Sequence, residues 1–238
     1  MAISIIIPVL NEAEGITSLL GYLAENMHSR ENTELIIVDG GSLDGTQDLV
    51  RSFINGNPSL QLKLINSERG RARQMNLGVK ESKYEVLYFL HADSYPPRHF
   101  DALILEQIAL KNQAGCFRLQ FDDDHWWLKL AGWFTKFNWM ACRGGDQSLF
   151  ISKGLFESLG GYNEAYHIYE DNMLIRDLYK AKHFVVMPQA ITTSARLYRQ
   201  CGIWQLQYHF WVIHLKKWLG ASPESLHSYY QKKILRAG

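Results

Sequence analysis

A chain of 238 residues, 47% hydrophobic and 21% charged, has the composition of an ordinary folded protein, long enough for one large domain or two small ones. Its formal net charge of +1 gives no overall attraction to nucleic acid, and Cys116, Cys142 and Cys201 match neither a disulfide framework nor the paired spacing of a zinc site. No apolar run approaches the ~20 residues that span a bilayer, and a first strand beginning beside Met1 leaves no room for a secretory leader. The expectation is a cytoplasmic protein with reduced thiols, peripheral attachment to a membrane surface staying open.

In chain order, residues 3–7 read as a buried strand running into Pro8-Val9-Leu10-Asn11-Glu12. A helix over 12–25 follows, with Ile16, Leu19, Leu20 and Leu23 on one face. Residues 35–38 form a second strand and 46–54 a helix carrying Leu49, Val50 and Phe53. Residues 60–65, 71–80 and 86–90 read as strand, helix and strand, and Pro96-Pro97 turns the chain into a helix over 100–110. This alternation predicts a mostly parallel sheet with helical crossovers. Beyond it come a strand over 116–121, a helix over 126–140 dense in aromatics, a strand over 148–151 and a helix over 170–180. Two late strands, 184–187 and 191–194, precede helices over 203–219 and 223–235. With no linker or repeat, the expectation is one domain, with a nucleotide-binding half over 1–94 and an acceptor half over 95–238.

Three strands deliver polar or acidic groups at their carboxyl ends, the usual place for a ligand in an open α/β sheet. Asp39-Gly40-Gly41-Ser42-Leu43-Asp44-Gly45-Thr46 is a strand-to-helix turn whose glycines allow backbone amides near a ligand. It is neither a dinucleotide fingerprint nor a phosphate loop, and a plain capped turn explains it equally well. His91-Ala92-Asp93-Ser94 places one carboxylate at a strand mouth, sufficient for a hard cation that also binds phosphates. Arg69, Arg71 and Arg73 crowd a helix start where cations oppose the dipole, so an anionic ligand explains them better than helix stability does. Glu170-Asp171 opens a helix, and Arg143-Gly144-Gly145-Asp146-Gln147 is a loop whose acid could face the same cleft. The stripe Trp204, Tyr208, Trp211, Leu215 and Trp218 reads as core packing before membrane contact, and His209 and His214 as structural. The segment Trp126, Trp127, Trp133, Phe134, Phe137 and Trp139 reads as core, with a flat platform for an acceptor as the other reading.

Together and in this order the motifs resemble the family 2 glycosyltransferases of the GT-A fold, across roughly residues 3–200. Ile5-Ile6-Ile7-Pro8-Val9-Leu10-Asn11-Glu12 looks like that family's opening strand and Val38 to Thr46 like its nucleotide-binding turn. His91-Ala92-Asp93 sits where its Asp-x-Asp metal motif lies, and Glu170-Asp171 resembles its catalytic-base motif. The resemblance implies an α/β GT-A sheet, a nucleotide-sugar donor (UDP-sugar favoured), a divalent Mg or Mn ion and inversion at the anomeric carbon. It implies that Asp39 meets the base, that Pro8, Asn11, Glu12 and Gly41 shape its pocket, and that Arg69, Arg71, His91, Asp146 and Gln147 help bind the donor. Asp93 would hold the metal and Asp171 or Glu170 would take the acceptor proton. Two departures stand out. His91 replaces the first aspartate of the metal motif, and Arg199 and Trp204 lack the Gln-x-x-Arg-Trp spacing of many members. The stretches 68–76, 91–94 and 145–147 are similar to a small bacterial subgroup associated with radical-enzyme and arsenosugar gene sets. A sugar-phosphate nucleotidyltransferase and a non-catalytic membrane-surface or partner-binding module are the competing expectations. Neither the acceptor nor an oligomeric state follows from the motifs.

Overall fold

The first apolar runs become strands because their side chains serve two helical layers at once. The computed structural model describes residues 1–144 and 147–235. In β1 (Ile3–Val9), Ile3, Ile5, Ile7 and Val9 pack on one layer and Ile6 on the other. The first layer contains α1 (Ile16–Asn26), α2 (Thr46–Gly56) and α4 (Phe100–Ala109), which bury Leu19, Leu20, Leu23, Val50, Phe100 and Ile104. The second contains α3 (Arg71–Lys80), α6 (Lys153–Ser158) and α7 (Glu170–Lys180), with Met75, Val79, Phe156, Leu174 and Leu178 inside. The buried Ser4 hydroxyl donates to Glu34 Oε1 at 2.6 Å, which satisfies the polar position within β1.

The other strands are β2 (Thr33–Asp39), β3 (Gln61–Asn66), β4 (Val86–Phe89), β5 (Ser94–Tyr95), β6 (Ala114–Phe121), β7 (Leu149–Ser152) and β8 (Phe184–Thr193). They form one sheet in the order β3-β2-β1-β4-β7-β6-β8-β5. Pairing is parallel from β3 to β4, antiparallel on both sides of β7, parallel between β6 and β8, and antiparallel to β5. The sheet is therefore mixed and mostly parallel, as expected. The late helices α8 (Arg196–Cys201), α9 (Ile203–Trp218) and α10 (Pro223–Tyr230) bury a separate cluster with Leu206, Ile213, Leu226 and Ile234.

The arrangement differs from the sequence expectation at five places. The first helix begins at Ile16, because residues 11–13 are tied to the turn after β2. The aromatic helix α5 (Trp126–Phe134) stops well before residue 140. There Thr135 Oγ1 donates to Gly132 O at 2.6 Å and accepts from Leu119 N at 2.9 Å, drawing the chain onto β6. The buried Arg143 guanidinium then holds the departing loop, with Nη2 donating to Thr135 O at 2.5 Å and Phe137 O at 2.6 Å. The two late strands are one, β8, whose register against β6 shifts between Phe117 and Arg118 and so accommodates Pro188 and Gln189. The last helix ends at Tyr230 and passes into a π turn, Gln231–Leu235. Finally, α6, α8 and β5 are too short for periodicity to announce.

Candidate active site

Strands β1, β2, β4, β6 and β8 point the same way, so their carboxyl ends share one edge of the sheet. A cleft of about 1680 Å³ lies over that edge and beneath the late helices. Pro8 and Glu12 reach it from the end of β1, and His91 and Asp93 from the end of β4. Arg69 and Arg71 enter from the start of α3, Gln147 from the loop before β7, and Asp171 from the start of α7. Five sequence-distant segments thus meet in one cleft.

The loop after β1 and the turn after β2 are bound together by side chains. Asn11 N donates to Ser42 Oγ at 2.8 Å, and Leu43 N donates to Asn11 Oδ1 at 2.9 Å. Glu12 N donates to Thr46 Oγ1 at 2.9 Å and Ala13 N to Asp44 Oδ2 at 2.9 Å. Gln74 of α3 locks the same corner, its Nε2 donating to Val9 O at 2.9 Å and Val38 O at 2.7 Å. Asn11 and Gly41 are therefore framework for the cleft and not part of its lining. Asn11 holds a left-handed φ of 55°, a conformation asparagine tolerates.

Asp39 closes the turn inward; it is fully buried and, like Asn11 and Gly41, does not line the cleft. Its Oδ1 accepts from Gly41 N and Ser42 N, each at 2.9 Å, and from Gln47 Nε2 at 2.7 Å. Gly41 permits this at φ 92°. Burial opposes the charge of Asp39, but hydrogen bonds from Ser42, Gly41 and Gln47 outweigh it and hold the carboxyl below the ordinary aspartate range. Its other oxygen, Oδ2, is buried and has no hydrogen-bond partner among the described residues.

On the opposite wall, Arg71 Nε donates to Glu170 Oε1, and Arg71 Nη2 lies 3.5 Å from Asp171 Oδ2. Glu170 is fully buried and absent from the cleft lining, while Asp171 lines it. Glu12 pairs with Arg196 Nη2 at 3.3 Å. Burial raises the Glu12 carboxyl above its ordinary range against the pull of Arg196, and the charges of Asp93 and Asp44 push it further up. Glu12 and Asp93 thus sense each other across the cleft floor. Gln147 is buried, and its Nε2 lacks a partner among the described residues. Asp146 lies outside the described residues.

Residues 4–159 match glycosyl transferase family 2, well over half of the chain. The chain belongs to that family. A PGL/p-HBAD biosynthesis glycosyltransferase of Mycobacterium tuberculosis is 30% identical over 181 residues, covering 71% of this chain and 66% of that protein. Glycosyltransferase AglE of Haloferax volcanii is 33% identical over 94 residues, 40% of this chain and 31% of that protein. The chain therefore spans between about a third and two thirds of the length of these relatives. Among solved structures, a mannosyltransferase from Pyrobaculum calidifontis in complex with GDP-Man and Mn2+ superposes with TM-score 0.72 at 20% identity. That match covers 99% of this chain and 68% of the other. Staphylococcus aureus TarS in complex with UDP gives 0.65 at 17% identity, covering 82% and 60%. The fold of this family 2 chain is GT-A.

Three groups of this family 2 site have no motif to signal them. Gln74 and Arg196 act through contacts only the tertiary structure creates. His167 and His227, with ring centroids 4.7 Å apart, join Arg69 on the cleft wall. Burial and the charges of His167 and Arg69 push the His227 imidazole below its ordinary value. His209 is bonded to Tyr229 Oη at 2.8 Å, and His214, which lines the cleft, to Tyr169 Oη at 3.0 Å. The core reading of both aromatic stretches fails, though Trp127 and Phe134 line the cleft. Trp204, Tyr208, Trp211, Leu215 and Trp218 are 52–82% exposed, because α9 buries Leu206 and Ile213 instead. Trp126, Trp133, Phe134 and Trp139 are 41–59% exposed, because α5 faces the sheet through Leu128 and Gly132.

Proposed function

We propose that this chain is an inverting glycosyltransferase that moves a sugar from a nucleotide-diphosphate donor to an acceptor hydroxyl. The observation that carries the reading is the place of Asp171. It stands on the wall of the same cleft whose floor is made by the ends of β1 and β4. A carboxylate there can take the acceptor proton while the acceptor oxygen attacks the anomeric carbon and the bond to the diphosphate breaks. Glu170 keeps its own carboxyl buried against Arg71 and so orients Asp171 instead of replacing it. Arg69, facing the cleft, meets charge that develops on the departing diphosphate.

The buried, unpartnered Asp39 Oδ2 supports a role as acceptor for a base N–H, and Pro8, on the neighbouring strand end, lines the cleft. UDP-sugars head the donor series on that ground, with GDP-sugars as the comparison. His91 takes the place by the ribose. The donor set also fits a divalent ion. No cluster of three His, Cys, Asp or Glu exists among the described residues; an ion bound to phosphates needs only one or two protein carboxylates. Asp93 would hold that ion, with Glu12 nearby, and when bound it would supply charge neutralisation at the leaving diphosphate. Motifs 68–76 and 91–94 support a place beside the radical-enzyme and arsenosugar subgroup of the family.

Calorimetry with UDP- and GDP-sugars, with and without Mn, tests the donor assignment. NMR of the released or transferred sugar tests inversion: retained anomeric configuration would sink that part of the mechanism.

A further inference from the structure

The aromatic side chains at the start of α5 meet those that α9 leaves in solvent in one face. The Trp126 and Trp127 rings lie 5.7 Å and 5.3 Å from that of Trp204, and Trp127 lies 6.2 Å from Trp211. Further along the helix, Leu215, Trp218 and Leu219 continue the stripe, all exposed. A helix of 16 residues carries this face for about 24 Å. Exposed apolar patches of this extent mark contact surfaces.

Charge decides between occupants. Residues 195–238 contain seven Lys and Arg against one acid, Glu224, so this segment is net +6 in a chain that totals +1. Arg196 and Arg199 are paired with Glu12 and with Asp122 and Asp123, while Lys232 and Lys233 of this segment are exposed; Lys136 lies 3.5 Å over the Trp133 ring. A second copy of this chain would set these cations against the same cations. An anionic bilayer surface complements them, and tryptophan with lysine is the pairing favoured at the headgroup level. No helix among the described residues is long and apolar enough to cross a membrane, so contact is lateral.

We propose that the α5–α9 aromatic face docks on an anionic lipid bilayer. Trp211 and Trp218 of this face also line the cleft, so docking brings the site to the membrane surface. The docking claim does not depend on the sugar-transfer reading.

Flotation of the full chain with phosphatidylcholine vesicles, with and without phosphatidylglycerol, tests this. The expected result is recovery with phosphatidylglycerol vesicles that weakens on adding salt. Trp204→Ser with Tyr208→Ser, and separately Lys232→Glu with Lys233→Glu, should each lower vesicle affinity ~10-fold or more. These side chains lie outside the cleft lining, so nucleotide-sugar binding and the circular-dichroism melt should not move. No flotation with any vesicle, or equal flotation of wild type and variants, overturns the proposal. A dimer in sedimentation that the tryptophan variant dissolves, with vesicles left unbound, overturns it in favour of a second copy. Loss of nucleotide binding with docking intact would strike only the enzymatic reading.

Discussion

Arg71 at the start of α3 and Glu170 at the start of α7 are hydrogen-bonded across 99 residues of sequence. The bond holds the buried carboxylate, while Asp171, 3.5 Å from the same guanidinium, lines the cleft. Asp171→Asn is expected to cut turnover by ~10²- to 10⁴-fold, the usual worth of a positioned base, with donor affinity unchanged. Glu170→Gln should instead cost about 1–3 kcal/mol of stability through a weakened buried bond, a Tm loss of ~2–4 °C per kcal/mol at this size. Single-turnover rates and thermal melts on the two variants check the division. Near-wild-type turnover in Asp171→Asn would remove Asp171 from the mechanism.

Asp39 gives a pH dependence with a definite sign. Its folded carboxyl sits below the ordinary aspartate value despite burial, through the bonds from Ser42, Gly41 and Gln47. The native state therefore binds that proton less readily than the unfolded chain. The resulting stability is fully present above the ordinary aspartate range and is lost as pH falls through the folded value. Asp39→Asn should be most destabilising near neutrality, the gap from wild type closing below ~pH 4. Urea titrations across pH measure it. Nucleotide affinity should fall roughly 10- to 100-fold in the same variant, as expected for a lost bond to a charged group.

Metal dependence should run through Asp93. Chelation is expected to abolish transfer, and added Mn or Mg to restore it. Asp93→Asn should raise the metal concentration for half-maximal activity by about tenfold or more. Glu12→Gln should act more mildly, since Glu12 is already engaged with Arg196. An Asp93→Asn enzyme with an unchanged metal titration would place the ion elsewhere.

The first half of the chain was legible because its signals are local. Residues 71–80 and 170–180 form helices with the bounds their periodicity indicates, and strand-end groups such as Pro8 and Asp93 reach the cleft as expected. What periodicity could not convey was which side of an amphipathic pattern faces inward. The stripe from Trp204 to Trp218 has core spacing, yet α9 hides Leu206 and Ile213 and turns its aromatics out. The choice between Glu170 and Asp171 depended on Arg71, and Asn11 became framework through bonds to Ser42 and Leu43. Those are long-range contacts, which no local pattern encodes.

Two glycines within helices should respond oppositely to alanine. A Cβ on Gly78 in α3 would stand 2.4 Å from Ile6 Cγ2 and 3.3 Å from Val38 Cγ2. One on Gly21 in α1 would meet nothing within 4 Å. Alanine gains up to ~1 kcal/mol of helix propensity at either site. At Gly78 overpacking against β1 and β2 costs about 1–3 kcal/mol and wins. Gly78→Ala should therefore melt lower than wild type and Gly21→Ala higher. Because α3 also carries Arg71 and Gln74, Gly78→Ala should in addition weaken nucleotide binding, while Gly21→Ala leaves it intact. Equal melts and equal affinities in the two variants would show that α3 slides freely on the sheet, contrary to the close packing of Gly78 on Ile6.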